Sequence, residues 1–576
     1  MEDSLHYISQ GPLVRFSFVR CSGNLLAHGL AKLALIQELD GEISLPNFPG
    51  LVAIAHNDIL RSEASEMGEM VEVSSNPTPL RMGAAVPLSP GESPLLYSTA
   101  QNTQTPSASP MNETTVSMEE PLEEVSQLTK LAPQEAWLPI TESRNGNAFF
   151  SAFHTLSSGL SYQALLLPLA FPVLGWTWGI LCLALAFVWQ MYTLWLLIEL
   201  HEYVPGVRYS RYLQLAIATF GAKRGKLLAL FPTMYLSGGT CVGLVTFGGG
   251  AMRLFFQIAR VANPLTTVEY LLVFTCCAFL LAQLPNLNSL AGVSLIGAIS
   301  GVGYCTLIWV VSVSKDRPMD VAYHPLKAKS EMPEICNFLN AFGIVALAFR
   351  GHNVVLEIQG TMPSNAKHPS RVPMWRGVRF AYLLIAMCLF PLATAGYGAY
   401  GNLIPTNGGL LGALMKYHEH GTSRFSLGLI SLLVVISCLS SYQIYSIPFC
   451  DNMEFKYIMA KNRPCPRWLR SAFRALFGGI AFFIAVALPI LVRLAGLIGA
   501  IAMPVTFAYP CFMWIVIKKP KKYSTMWYLN WGLGCLGMVM SFLLVVAAIW
   551  SLVQTGVQPH FFNPHSPVTA GKEKKE

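Results

Sequence analysis

Two short stretches place polar residues in the middle of apolar runs, and these are where the chain could do chemistry. In residues 148–175, AFFSAFHTLSSGLSYQALLLPLAFPVLG, His154 sits one turn before Ser157, Ser158, Gly159, Leu160 and Ser161. In residues 339–362, an apolar half ends at Phe349; Arg350, Gly351, His352 and Asn353 follow together, and then Glu357. A charge near a bilayer centre costs at least about 2.5–3.5 kcal/mol and usually faces a cavity. Gly and Ser pairs weaken a helix and release backbone groups, which is tolerated at that depth only beside protein or a cavity. The chemistry on offer is binding and proton exchange. Amides freed from Ser161 onward would turn a positive dipole end toward a carboxylate, and freed carbonyls would accept from an ammonium. His154 is either bonded to a neighbouring helix or a proton site, since imidazole titrates between about pH 5 and 8. It ranks ahead of Glu357 for proton coupling, and a looser expectation pairs the two. Arg350 either steers a carboxylate or holds a gate with His352; the gate is slightly favoured. Bond-breaking chemistry has no motif to run it: no paired carboxylates, Walker sequence or nucleophile pattern occurs. Gly248, Gly249 and Gly250 lack the strand–turn–helix context of a phosphate loop. The chain therefore reads as a non-enzyme, with no cofactor and no metal.

The elements that must position these residues are membrane spans. The 576 residues are 53% hydrophobic and 12% charged, whereas soluble domains run nearer about 25% charged. About eleven spans can be drawn, at 147–174, 176–200, 227–256, 268–284, 291–313, 339–362, 378–400, 425–449, 475–492, 494–517 and 527–553. Arg493 alone divides the ninth from the tenth. The net charge of +8 is carried by short loops beside apolar runs, the positive-inside pattern rather than a nucleic-acid footprint. With the N-terminus in the cytosol, about nineteen Lys and Arg fall in cytosolic loops against about eight opposite, and an odd span count puts residues 554–576 outside. The thirteen cysteines show no metal spacing and read as small apolar residues. Gly239 with Gly243, and Gly297 with Gly301, fit small-xxx-small helix packing.

The two interrupted spans are the first and the sixth. In a five-plus-five inverted repeat these are equivalent positions, and substrate binds between their broken middles. The candidate binding set is Ser157, Ser158, Gly159, Leu160, Ser161, Phe349 and Gly351, completed by Ser237 and Thr240 of the third span and Ser440 of the eighth. No carboxylate falls near the presumed midplane, so neutral cargo is physically easier than lysine. Orientation places Glu357 near the cytosolic interface, where a carboxylate is cheap.

Residues 61–146 are rich in Ser, Pro, Thr and Glu, with few aromatics, and are expected to form a disordered cytosolic region. Before them, residues 18–35 read as an amphipathic helix too polar and short to span. That helix resembles the closing helix of plant retroelement-type ribonuclease H domains through Arg20, Asn24, Ala27, His28, Leu30 and Ala31. The acids a two-metal nuclease needs would lie upstream of that stretch, so no nuclease activity is expected. The segment reads as a non-functional fragment or a gene-model fusion.

From about 128 to 553 the chain resembles the plant amino acid/auxin permease family, in its lysine/histidine transporter-like branch. The resemblance is carried by TKLAPQEAWLPITESRNGNA from Thr129, SAFHTLSSG from Ser151, RYSRYLQLA from Arg208, LFPTMYLSGGT from Leu230, AFRGHNVVLEIQGTMPS from Ala348, CLSSYQIYS from Cys438 and FAYPCFMWIVIKKPKKYS from Phe507. It implies an all-α polytopic membrane protein with a LeuT-type five-plus-five core plus one extra helix. It also implies a proton-driven symporter importing amino acids across a plasma membrane, with lysine and histidine among the branch's named cargo. Family members often carry Gly-x-Gly at the first break; here Gly159 is kept and Ser161 replaces the second glycine. Ser161 would then narrow the pocket or disable it. Two further readings stay open, an auxin influx carrier with an aromatic-lined pocket and an amino acid sensor that transports little.

Overall fold

The computed structural model describes residues 4–7, 14–17, 137–138 and 144–555, the last with short internal gaps. The amphipathic helix read at 18–35, most of the segment 61–146, the division at Arg493 and the tail after 555 lie outside the described residues. The chain divides into two units, Met1–Asn112 and Glu113–Glu576. In the first, β1 (Ser4–Tyr7) and β2 (Val14–Ser17) pair antiparallel with Ser4 opposite Ser17; the sequence reading had no strand there.

Among the described residues of the second unit, the regular elements are all helices. The first span is split into α1 (Ala148–Gly159) and α2 (Tyr162–Leu166), continued by a 3-10 turn, Leu167–Ala170. Asn147 caps α1 by accepting from the amides of Phe149 and Phe150 at 2.9 and 3.0 Å, which satisfies two otherwise orphaned donors. The second span follows within α3 (Phe171–Leu200), kinked where Gly175 takes φ 71 and ψ −177. That glycine is the boundary drawn between spans 147–174 and 176–200. After α4 (Tyr212–Phe220) come α5 (Ala222–Ile258), α6 (Thr267–Leu281) and α7 (Ala291–Ser314). The sixth span is split into α8 (Glu331–Ala348) and α9 (His352–Gly360). Then come α10 (Arg371–Tyr400), α11 (Gly409–His418), α12 (Arg424–Lys461) and α13 (Arg467–Ala487). The tenth span is α14 (Ala495–Met503), a π turn at Pro504–Ala508 and α15 (Tyr509–Lys518); α16 (Thr525–Thr555) closes the bundle.

Among the described residues, nine helices are long and apolar enough to cross a membrane, and Thr267–Leu281 is a shorter apolar one. The count falls below eleven because the fourth span is short and the first two run together through Gly175. The third and eighth spans, α5 and α12, pack along each other at the centre, and α1 packs against α7 and α10. Large apolar side chains such as Phe231, Leu383, Phe483 and Phe542 point outward, as lipid-facing surfaces require.

Close approach between α8, the first half of the sixth span, and the tenth span depends on two glycines. A Cβ on Gly499 would stand 2.2 Å from the Gly343 carbonyl oxygen, and one on Gly343 would stand 2.8 Å from the Gly496 oxygen. Backbone cannot yield as a side-chain tip can. Gly499→Val is expected to cost about 1–3 kcal/mol through overpacking, read as a lower unfolding midpoint in detergent.

Candidate functional site

The two broken spans meet. In the first, α1 stops at Gly159, then Leu160 (φ −115, ψ 99) and Ser161 (φ −155, ψ −150) run extended before α2 starts at Tyr162. In the sixth, Phe349 (φ −106, ψ 34) ends α8 and Gly351 (φ 142, ψ −6) opens α9. Ser158 Oγ lies 3.6 Å from the Cβ position of Gly351. Arg350 Nη2 donates to Ser161 Oγ at 2.7 Å. The spacing of five spans therefore does bring both breaks to one place.

The carbonyls of the first break are not free, and here the sequence expectation is corrected. Ser157 O accepts from Ser441 at 2.5 Å, Ser158 O from the Tyr445 hydroxyl at 3.0 Å and Gly159 O from Gln163 Nε2 at 2.6 Å. Leu160 O accepts from Ser437 at 2.9 Å and Ser161 O from the Tyr304 hydroxyl at 2.8 Å. In the sixth span, Phe349 O accepts from the Tyr382 hydroxyl at 3.1 Å. Buried backbone acceptors must be paired, and side chains of the fifth, seventh and eighth spans, with Gln163 itself, do the pairing. Gln163, Tyr304, Tyr382 and Tyr445 were missed at the sequence level. Their signal was a polar tip inside an apolar span, diluted by the many other tyrosines.

Arg350 fills the space between the breaks. It is 2% exposed, donates from Nε to the Tyr445 hydroxyl at 3.1 Å, and lies over the rings of Tyr162 and Tyr445 at 4.7 and 4.9 Å. Ser161 accepts from it and donates to Gln163 Oε1 at 2.6 Å. A serine is comfortable at 161 because its φ is negative and extended; the hydroxyl is a partner for Arg350.

The remaining candidates divide by what they touch. Ser440 bonds Ser157 at 2.8 Å and donates to Val293 O at 3.0 Å. Ser237 accepts from Asn353 Nδ2 at 2.9 Å, joining the third span to α9. Thr240 is buried with no hydrogen bond of good geometry. His352 faces the second span rather than the break, with Nε2 at 3.0 Å from Thr193 Oγ1 and 3.2 Å from Gln190 O. His154 Nδ1 lies 2.7 Å from Ser294 Oγ of the fifth span. Glu357 is 4% exposed and its Oε2 has no partner; its charged neighbours are Asp451 and Arg211. The cheap interfacial carboxylate expected from orientation is thus corrected to a buried one, covered by the chain before α4 and by the eighth span. His154 and Glu357 face different elements.

Arg211 Nε is bonded to Asp451 Oδ2, with both side chains at most 9% exposed. Removing one member of a buried pair strands the other, at a cost of about 3–5 kcal/mol. Asp451→Ala should lower the unfolding midpoint clearly, whereas the exposed pair Arg371–Glu199 should matter little when broken. Next to this region, Arg208 bonds Glu202 at 3.0 Å and donates to the Met362 carbonyl at 2.8 Å, holding the end of the sixth span. His201 is buried beside it; burial first, then the Arg208 charge, keep its imidazole well below the usual histidine pKa.

A bundle of apolar helices with two opened spans whose breaks meet over a buried polar layer defines a polytopic membrane transporter fold. Residues 144–554 match the family described as transmembrane amino acid transporter protein, and the chain belongs to that family. It is 56% identical over 463 residues to lysine histidine transporter-like 8 of Arabidopsis thaliana, covering 80% of this chain and 89% of that one. It is 49% identical to lysine histidine transporter-like 7 of the same plant, covering 75% and 90%. Among solved structures, a Na+-coupled sialic acid symporter in a substrate-bound outward-open state aligns with TM-score 0.46 and 11% identity, covering 76% of this chain and 96% of that one.

Proposed function

We propose that the chain is a secondary active transporter that carries amino acids into the cell by symport with protons. Neutral amino acids are the favoured cargo, with lysine and histidine the cargo in the relatives' names. The observation that carries the reading is the meeting of the two breaks, with Arg350 of one bonded to Ser161 of the other. A site made from both halves of a repeat can be opened to either side by rocking one half against the other. Cargo binds among Ser157–Ser161, Phe349, Gly351, Ser237, Thr240 and Ser440. Glu357 takes first place as the proton site and His154 second, reversing the sequence-based order. Glu357 is a buried carboxylate with an unpartnered oxygen beside the Arg211–Asp451 pair, so its charge would bear on an ion pair that links two elements. The basic loops support a cytosolic N-terminus and an extracellular C-terminus; the plasma-membrane location is proposed on the family resemblance. The test is uptake of a labelled amino acid panel by proteoliposomes under an imposed pH gradient. Absence of any gradient-dependent uptake would remove the symport reading, and saturable binding without flux would point to a sensor.

A further inference from the structure

We propose that Arg350 anchors the cargo, and that the layer between the breaks reads a carboxylate and does not read an α-ammonium. The inference rests on the transport-site reading above and narrows its cargo.

Three observations carry it. The first is a fixed cation with one nitrogen held only loosely. Arg350 spends Nε on Tyr445 and Nη2 on Ser161, while Nη1 is buried without a hydrogen bond of good geometry. The second is that loosely held hydroxyls accompany it. Those of Tyr162 and Thr240 are equally buried; the Tyr162 hydroxyl interacts with Arg350 and with Thr240, but without a bond of good geometry. The Tyr162 hydroxyl lies 2.8 Å from the Cβ position of Gly243, one helical turn from Thr240, and the Tyr162 ring lies under the guanidinium. Guanidinium and hydroxyl donors around one space suit a carboxylate, which only accepts.

The third observation is the acceptor count. Each of the carbonyls from Ser157 to Ser161 already accepts from a side chain. A cargo ammonium would have to share those acceptors, and it would meet a guanidinium of like charge in a dry layer, where Coulomb terms are strong. Asn353 Oδ1 and the hydroxyl oxygens of Tyr162 and Thr240 are side-chain acceptors without a well-formed bond, but the Tyr162 hydroxyl belongs to the ring under the guanidinium, where an ammonium would meet like charge. The cargo class that fits is a small carboxylic acid, α-amino acids included, whose remaining groups carry no second positive charge. Lysine is disfavoured.

The experiment is a ligand series on the purified full chain in detergent, read as the concentration that raises the unfolding midpoint. The probes are norleucine, hexanoate, norleucine methyl ester and lysine, which share a six-carbon skeleton and differ in the groups at issue. Norleucine and hexanoate are expected within about tenfold of each other. The ester and lysine are expected to be weaker by roughly 10- to 100-fold, the range set by a hydrogen bond to a charged partner. In Arg350→Gln the response to norleucine and hexanoate should fall by a similar factor and the gap to lysine should close. Norleucine acting while hexanoate does not would establish an ammonium site and overturn the proposal. So would lysine equal to norleucine, or no response to any acid. If Arg350→Gln does not fold, the series on the unaltered chain decides by itself. A series that holds while proteoliposomes accumulate nothing would sink the transport reading and leave this one standing. Gradient-driven uptake that prefers lysine would do the reverse.

Discussion

Gly351→Val is expected to reduce uptake at least about 100-fold while the chain still reaches the membrane. Gly351 holds φ 142 and ψ −6, a conformation open to glycine and strained by about 1–3 kcal/mol or more for other residues. Space is not the obstacle, since the nearest atom to an added Cβ is Ser158 Oγ at 3.6 Å. Gly351→Ala should therefore be nearly as damaging, because any Cβ pushes the backbone out of this region and turns α9 away from the first break. The contrast is Gly159. A Cβ there would meet the tip of Ile385 at 2.4 Å, a side-chain obstacle in the seventh span. Gly159→Ala should be rescued in part by Ile385→Val, whereas no trimming of a neighbour should rescue Gly351→Ala. Initial uptake rates, normalised to protein in the membrane, check both halves. Full activity in Gly351→Ala would show that the break can form another way.

Glu357→Gln is expected to uncouple uptake from the pH gradient. The side chain is buried, its Oε2 has no partner, and Arg211 and Asp451 are its charged neighbours. Glutamine keeps the shape and cannot bind or release a proton. Gradient-driven accumulation should fall to about the level reached with no gradient, a loss of roughly tenfold per pH unit of gradient for one coupled proton. Exchange of labelled for unlabelled amino acid across the membrane should persist, because the binding layer is untouched. His154→Gln is expected to have the smaller effect, since His154 has a hydroxyl partner in the fifth span and lies apart from the charged cluster. Unchanged gradient stimulation in Glu357→Gln, with stimulation lost in His154→Gln, would restore the order read from the sequence.

Much of the architecture was legible before any coordinates. Apolar run lengths gave the spans, and Gly175 stands at the boundary drawn between the first two. Polar and glycine clusters located both interruptions, because hydrocarbon surroundings tolerate such residues only where the backbone opens. Side-chain partners across spans were not legible. His352 reads from sequence as part of a gate, but its partners, Thr193 and Gln190 of the second span, could not be read there. Ser161 reads as an intruding Cβ and is an acceptor for Arg350. The break carbonyls read as open acceptors and are taken by the Gln163 amide and by hydroxyls up to 287 residues away in sequence. Each of these depends on which face of a distant helix turns inward, and a span that is apolar on nearly all sides gives little periodicity to tell.

The most direct test is accumulation of labelled norleucine by proteoliposomes with an alkaline lumen. The account predicts accumulation above equilibrium that a protonophore collapses, that Gly351→Val abolishes, and that Glu357→Gln reduces to passive exchange. Uptake indifferent to the gradient, or saturable binding with no flux in the unaltered chain, would contradict it.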